Sequence, residues 1–240
     1  MALVDAAAAR AGGGGPRRVE GRLTSSVPIE TALELETART GDAFSLSIRQ
    51  NGQTLTSGGV TALGKPRDFV VWRGDGPALP MSDQCLACGA LNPIGLRVRL
   101  AFDGDGVWAA LTPRDAWRTS GGRLHPAVAP VLLDEVAWWL GALVLHEGGL
   151  TNRLAIDLDD PDAPFGEPLI AAGRFADVAP IDRKRTFWRT ECTLATASGH
   201  LIARGSIVYR GGAEYSARQI PFFKARTPPD VFRRMFPGYA

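Results

Sequence analysis

A chain of 240 residues that is 45% hydrophobic and 22% charged has ample material for one large domain or two small ones. Its formal net charge of +2 supplies no basic field of the kind that nucleic acid or an anionic membrane attracts. No apolar run approaches the roughly 20 residues of a bilayer span, and the opening MALVDAAAARAGGGG lacks the basic flank and apolar centre of a secretory signal. Three cysteines are too few for a disulfide framework, so the expected compartment is reducing and cytoplasmic.

In chain order, residues 2–10 (ALVDAAAAR) are helix formers stopped by Gly12 to Gly15 and Pro16. Leu33 and Leu35 alternate with Glu34 and Glu36, and Phe44, Leu46 and Ile48 alternate with Ser45, Ser47 and Arg49. Asn51-Gly52 then stands before QTLTSGGVTAL, which predicts a hairpin. Residues 64–82 are rich in Gly and Pro without a period and read as a linker. After DQCLACGALNPIGL comes a second alternation, Leu96 to Phe102, a turn at residues 103–106, and a third alternation through Val107, Ala109 and Leu111. Residues 126–147 form the longest apolar stretch and predict a central buried helix closed by Gly148-Gly149. Strands follow in RLAIDLDD, EPLIAAGRFADV, RTFWRTECTLAT and HLIARGSIVYR, and residues 211–240 read as a tail with four phenylalanines among basic residues.

The two halves run in the same order. ALVDAAAARAGG followed by four strand segments parallels LLDEVAWWLGAL followed by four strand segments, each with a Pro-containing loop after the first strand. A repeat of this length is a duplicated domain. The predicted organisation is an incomplete first unit over residues 1–63, the linker 64–82, a complete second unit over 83–210, and the tail 211–240.

The segment CLACGALNPIGLRVRLAFDGDGVWAAL resembles the opening of hotdog-fold thioesterases, which carry Cys-x-x-Cys-Gly and then Asn-Pro-x-Gly-Leu. LHPAVAPVLLDEVAWW resembles the His-Gly-Gly-(six residues)-Asp element at the head of their helix, and residues 2–63 resemble the later part of the first repeat in double-hotdog acyl-CoA thioesterases. The resemblance implies an α+β class, a tandem (double) hotdog with an antiparallel sheet wrapped around a long central helix. It implies hydrolysis of an acyl-CoA or acyl-carrier thioester without a cofactor. A non-catalytic acyl-thioester-binding or structural protein is the alternative reading. A β-hydroxyacyl thioester hydratase, with Glu135 as acid and base, is the third.

By that resemblance Asp134, nine positions after His125, is the catalytic carboxylate, acting as nucleophile or as general base on water. His125 orients the thioester or the helix start. Where the family has Gly-Gly, this chain has Pro126-Ala127, and proline has no N–H to donate; the carbonyl-polarising donor then falls to Ala127 or Val128 at the helix N-terminus. Asn92 is a candidate contact near the reacting carbonyl, Trp138 a candidate acyl-tunnel wall, and Arg185, in the basic turn 183–185, a candidate partner for coenzyme A phosphates. Cys85 and Cys88 are half of a zinc set, but Cys192 and three scattered histidines do not complete it, so no metal is expected. Asp5 holds the place of Asp134 in the first unit, without the His-containing segment before it. An incomplete first unit leaves sheet edges or an apolar face uncovered, which predicts a homo-oligomer or a tail folded over that surface.

Overall fold

The computed structural model of the chain describes residues 15–25, 27, 31–63, 69 and 71–240. The helix expected over residues 2–10, Asp5 with it, and part of the expected linker lie outside the described residues.

The first unit contributes β1 (Arg17–Leu23), β2 (Glu34–Thr40), β3 (Ala43–Gln50) and β4 (Gln53–Ala62). The second contributes β5 (Leu100–Phe102), β6 (Gly106–Leu111), the helix α1 (Val128–Leu145), β7 (Gly149–Leu158), β8 (Leu169–Arg174), the two-residue β9 (Ala179–Pro180), β10 (Phe187–Thr196) and β11 (Leu201–Gly211). All pair antiparallel in one sheet of order β2-β3-β4-β1-β7-β11-β10-β8-β6-β5, with β9 added beside β10. The alternation read in the sequence decides which faces are buried: Leu46, Leu55 and Val60 in the first unit and Val107 and Ala109 in the second point inward. Asn51 (φ 50°) and Gly52 (φ 77°) both take the left-handed region, the requirement of the tight hairpin that Asn-Gly predicts.

The second unit wraps α1, which packs on β6, β7, β8, β10 and β11. Leu132, Leu133, Val136 and Leu140 are fully enclosed against Leu169, Leu194 and Ile207. Each such side chain contributes about 1.5–3 kcal/mol by leaving water. Although α1 is long and apolar enough to cross a bilayer, 12 of its 18 residues are buried within this protein, as befits a core helix. The helix differs at both ends from its sequence reading. It opens at Val128, two residues after Pro126, and Pro130 is third in it, where a missing N–H costs nothing because the first turn has no helical acceptors. It closes at His146, left-handed at φ 55°, and Gly149 is already in β7.

Gly141 of α1 packs directly against Tyr209 of β11. A Cβ there would stand 2.5 Å from the Tyr209 ring, which is held by its hydroxyl donating to the Glu147 carbonyl at 2.7 Å. Gly141→Ala is therefore expected to cost about 1–3 kcal/mol by overpacking, seen as a lower urea midpoint at unchanged slope.

The segment read as a tail is helical: α2 (Ala213–Arg226) and α3 (Pro229–Met235). It covers the outward side of α1, and its aromatic stripe finds its partners there. Phe223 lies 5.1 Å from Trp139 and 5.7 Å from Trp138, and Phe236 stacks on Phe223 at 5.9 Å. The supposed linker also does more than connect: Leu79 donates to the Leu100 carbonyl at 2.8 Å and Phe102 to that of Pro77 at 3.2 Å, so this stretch caps the β5 edge. The opposite edge, β2, is exposed along all seven residues.

Candidate active site

Asp134 and Glu135 are neighbours on α1, and Trp138 and Trp139 follow four residues after each, so the four project from one side of the helix. They form one wall of a cavity of roughly 440 Å³. The facing wall comes from α2 through Arg218, Gln219, Phe222 and Phe223, and the remaining side from Cys85 and Cys88. Helix α2 is fastened at this spot. Gln219 accepts the Gly149 N–H at 2.9 Å and donates to the Gly149 carbonyl at 3.1 Å, while buried Ser216 accepts the Gly148 N–H at 2.9 Å. Trp138 donates to that same Gly149 carbonyl at 3.0 Å.

The Thr151 hydroxyl, near the start of β7, donates to Asp134 at 2.6 Å. Burial pushes the Asp134 carboxyl up to about 6, against the opposing effect of that hydrogen bond. Glu135 is raised to about 8, chiefly by burial and then by the charge of Cys85 beside it. Cys85 is held down to about 5, foremost by its hydrogen bond with the Cys88 thiol and then by the N–H groups of Cys88 and Ala87. Cys88 is pushed up by the same pairing. A carboxylate that ionises near pH 6 in a half-enclosed aromatic cavity is equipped to take a proton from water.

Of the residues singled out in the sequence, Asp134, Glu135, Trp138, Cys85 and Cys88 line this cavity. His125 is exposed at the head of α1 and is outside the lining. Its Nδ1 accepts the Ala127 N–H at 3.2 Å and its carbonyl accepts the Val128 N–H at 2.9 Å, so both groups expected to polarise a carbonyl are turned onto the histidine itself. Asn92 closes a turn, donating to the Gln84 carbonyl at 3.0 Å and accepting the Ile94 N–H at 3.1 Å. Arg185 takes φ 54° in the turn before β10, its guanidinium 4.9 Å from the Trp188 ring. Sequence reasoning missed Thr151 and the whole α2 wall. The polar Thr-Asn-Arg run at the head of β7 was the available signal for the first.

One antiparallel sheet wrapped around the long helix α1, and extended sideways by strands β1–β4 of the first unit, gives this chain the tandem hotdog fold. No family model and no curated protein sequence matches the chain. Among solved structures it is similar to the tesB protein of Mycobacterium avium subspecies paratuberculosis, at 12% identity and TM-score 0.59 over 88% of this chain and 84% of that one. It is similar also to an acyl-CoA thioesterase II, TesB2, from Mycobacterium marinum, at 14% identity and TM-score 0.52 over 84% of this chain and 82% of that one. A third is a conserved protein of unknown function with the hotdog fold from Alicyclobacillus acidocaldarius, at 14% identity and TM-score 0.50 over 88% and 85% of the two chains. At such identities the likeness establishes the shared fold.

Proposed function

We propose that the chain hydrolyses acyl thioesters of coenzyme A or an acyl carrier, with Asp134 as the catalytic base. The observation that carries this reading is a half-buried carboxylate, oriented by Thr151, in the wall of an aromatic cavity large enough for an acyl group. Asp134 takes a proton from a water whose oxygen adds to the thioester carbonyl; collapse of the adduct breaks the C–S bond, and the proton held by Asp134 passes to the leaving sulfur, releasing the acid and the thiol. Trp138 and Phe222 face the acyl chain. Arg218, exposed at the cavity, is better placed than Arg185 to meet the phosphates of coenzyme A. The M. marinum relative of the same fold is an acyl-CoA thioesterase, which supports the substrate class. A cytoplasmic location and a homo-oligomer that covers the β2 edge accompany this reading, the second tested by light scattering.

Thiol release across a panel of short, long and aromatic acyl-CoAs tests it; no release from any of them would sink it. Because Asp134 must be ionised to accept a proton, kcat is expected to rise with pH along a limb centred at about 6 and to level off above it. Folding carries the opposite sign. Raising this pKa favours the protonated fold, so ionisation of Asp134 withdraws stability as pH climbs from the ordinary aspartate range through about 6.

A second reading is supported by the engagement of the Ala127 and Val128 N–H groups with His125. Without a polarising donor the cavity would bind acyl thioesters and not turn them over. Calorimetric binding of an acyl-CoA with no thiol release distinguishes it.

A further inference from the structure

We propose that Cys85, Cys88 and Glu135 form a three-ligand site for a thiophilic divalent cation, zinc above all, whose fourth position opens into the cavity beside Asp134. The two Sγ atoms and a carboxylate oxygen of Glu135 all lie within 4.8 Å of one another. Cys85 Sγ and Glu135 Oε2 are 3.5 Å apart. Ligands about 2.3 Å (sulfur) and about 2.1 Å (oxygen) from a tetrahedral zinc stand roughly 3.6–3.8 Å from each other, so the cluster has close to the required size.

The turn that carries the cysteines is set by its backbone. Gly89 donates to the Cys85 carbonyl at 2.9 Å, and the Cys88 N–H points at Cys85 Sγ at 3.5 Å. A Cβ at position 89 would lie 2.2 Å from the Cys85 carbonyl oxygen, so only glycine lets the chain double back here and bring both sulfurs to one side. Leu96 N–H to Leu86 O at 2.9 Å and Val98 N–H to Ala87 O at 3.0 Å tie the same turn to the chain that follows it. Amides aimed at a sulfur favour its thiolate, the form that binds metal.

Glu135 supplies the third ligand from α1, fifty residues away in sequence. Among the described residues it forms no ion pair with Arg, Lys or His, and its neighbours are the two thiols and Asp134. Four acidic groups meet at one spot, with exposed Arg218 the one basic residue in the cavity lining, an excess of acid that a divalent cation would offset. Soft sulfur ligands with one carboxylate select zinc over magnesium or calcium. Three protein ligands with one position left open is the arrangement of reactive zinc sites, not structural ones. Here the open position would offer the electrophile that the N–H groups at the head of α1, turned onto His125, do not.

The test uses the full chain, reduced, stripped with a chelator and titrated with cobalt(II). The expected result is about one cobalt per chain, with a thiolate-to-cobalt charge-transfer band and the intense visible bands of four-coordinate cobalt, displaced by zinc. Glu135→Gln and Cys85→Ser are each expected to lose stoichiometric binding while keeping the wild-type circular dichroism spectrum. Cys192→Ala is expected to bind as wild type, because Cys192 is buried elsewhere with its sulfur 3.5 Å from the Leu133 carbonyl. Cys85 and Cys88 titrating as freely after exposure to equimolar zinc as before it would overturn the proposal. So would a Cys85–Cys88 disulfide that zinc does not prevent, or unchanged binding in both ligand variants. Metal content is read without any substrate, so this result stands apart from the outcome of the thioester panel.

Discussion

Replacing Asp134 with asparagine is expected to lower kcat for acyl-CoA hydrolysis by about 10²–10⁴-fold, the range over which a positioned base contributes. Asparagine has the shape of aspartate, and its amide oxygen can still accept from the Thr151 hydroxyl 2.6 Å away. The cavity wall therefore stays in place while the proton acceptor is lost. KM should change little, because the acyl chain is held by the aromatic side chains that asparagine leaves alone. The variant should also be at least as stable as the wild type near neutral pH, since a carboxylate that burial pushes up to about 6 costs the fold something to ionise. Steady-state kinetics and urea melts on the same preparations separate the two effects. Retained turnover would remove Asp134 from the mechanism and turn attention to Glu135, the other carboxylate in the wall.

Phe236→Ala is expected to destabilise the protein by about 3–5 kcal/mol, the usual cost of emptying an enclosed phenylalanine site. The position is only four residues from the end of the sequence, where truncation is ordinarily harmless. Phe236 nonetheless has no solvent exposure, and neither does Met235 before it. Phe236 stacks on Phe223 with planes 12° apart, and Phe223 touches both tryptophans of α1. The Met235 carbonyl is bonded to His146 Nδ1 at 2.9 Å, which ties the chain terminus to the cap of α1. Loss of the Phe236 ring should loosen α2, one wall of the cavity, along with the fold. Thermal unfolding followed by Trp fluorescence reads this directly; an unmoved Tm would mean that the C-terminal helices are an ornament on a self-sufficient core.

The parts of the fold that the sequence discloses are those whose burial is periodic. The strands of both units are visible as alternation, the Asn51-Gly52 hairpin as turn chemistry, and α1 as an apolar run without a polar face. Helix α2 was hidden because Pro221 interrupts it and its buried side is narrow: Ser216 and Ile220 are its buried residues amid Arg218, Lys224 and Arg226. The site was legible where it lies on α1 and on the Cys-x-x-Cys turn. Asp134, Trp138 and the Cys85–Cys88 pair are read from local patterns, whereas Thr151, which donates to Asp134, and Gln219 come to the site through pairing and packing that bring distant segments together. His125 shows the converse case, because a spacing suited to catalysis is spent on accepting the Ala127 N–H just ahead of the helix.

Strand β1 pairs with β7 from Arg17↔Leu158 to Arg22↔Arg153, and ion pairs from Arg18 to Asp157 and from Arg153 to Glu20 cross the same seam. Strand β7 thus has β1 on one flank and β11 on the other, and it also carries Thr151. Heat or denaturant cannot peel residues 17–62 away without stripping a full rail of hydrogen bonds from β7. The two units should accordingly melt in one cooperative transition, not as beads on a string. A lesion far out in the first unit then becomes a lesion of the Asp134 cavity at one remove, transmitted by the strand that both halves share.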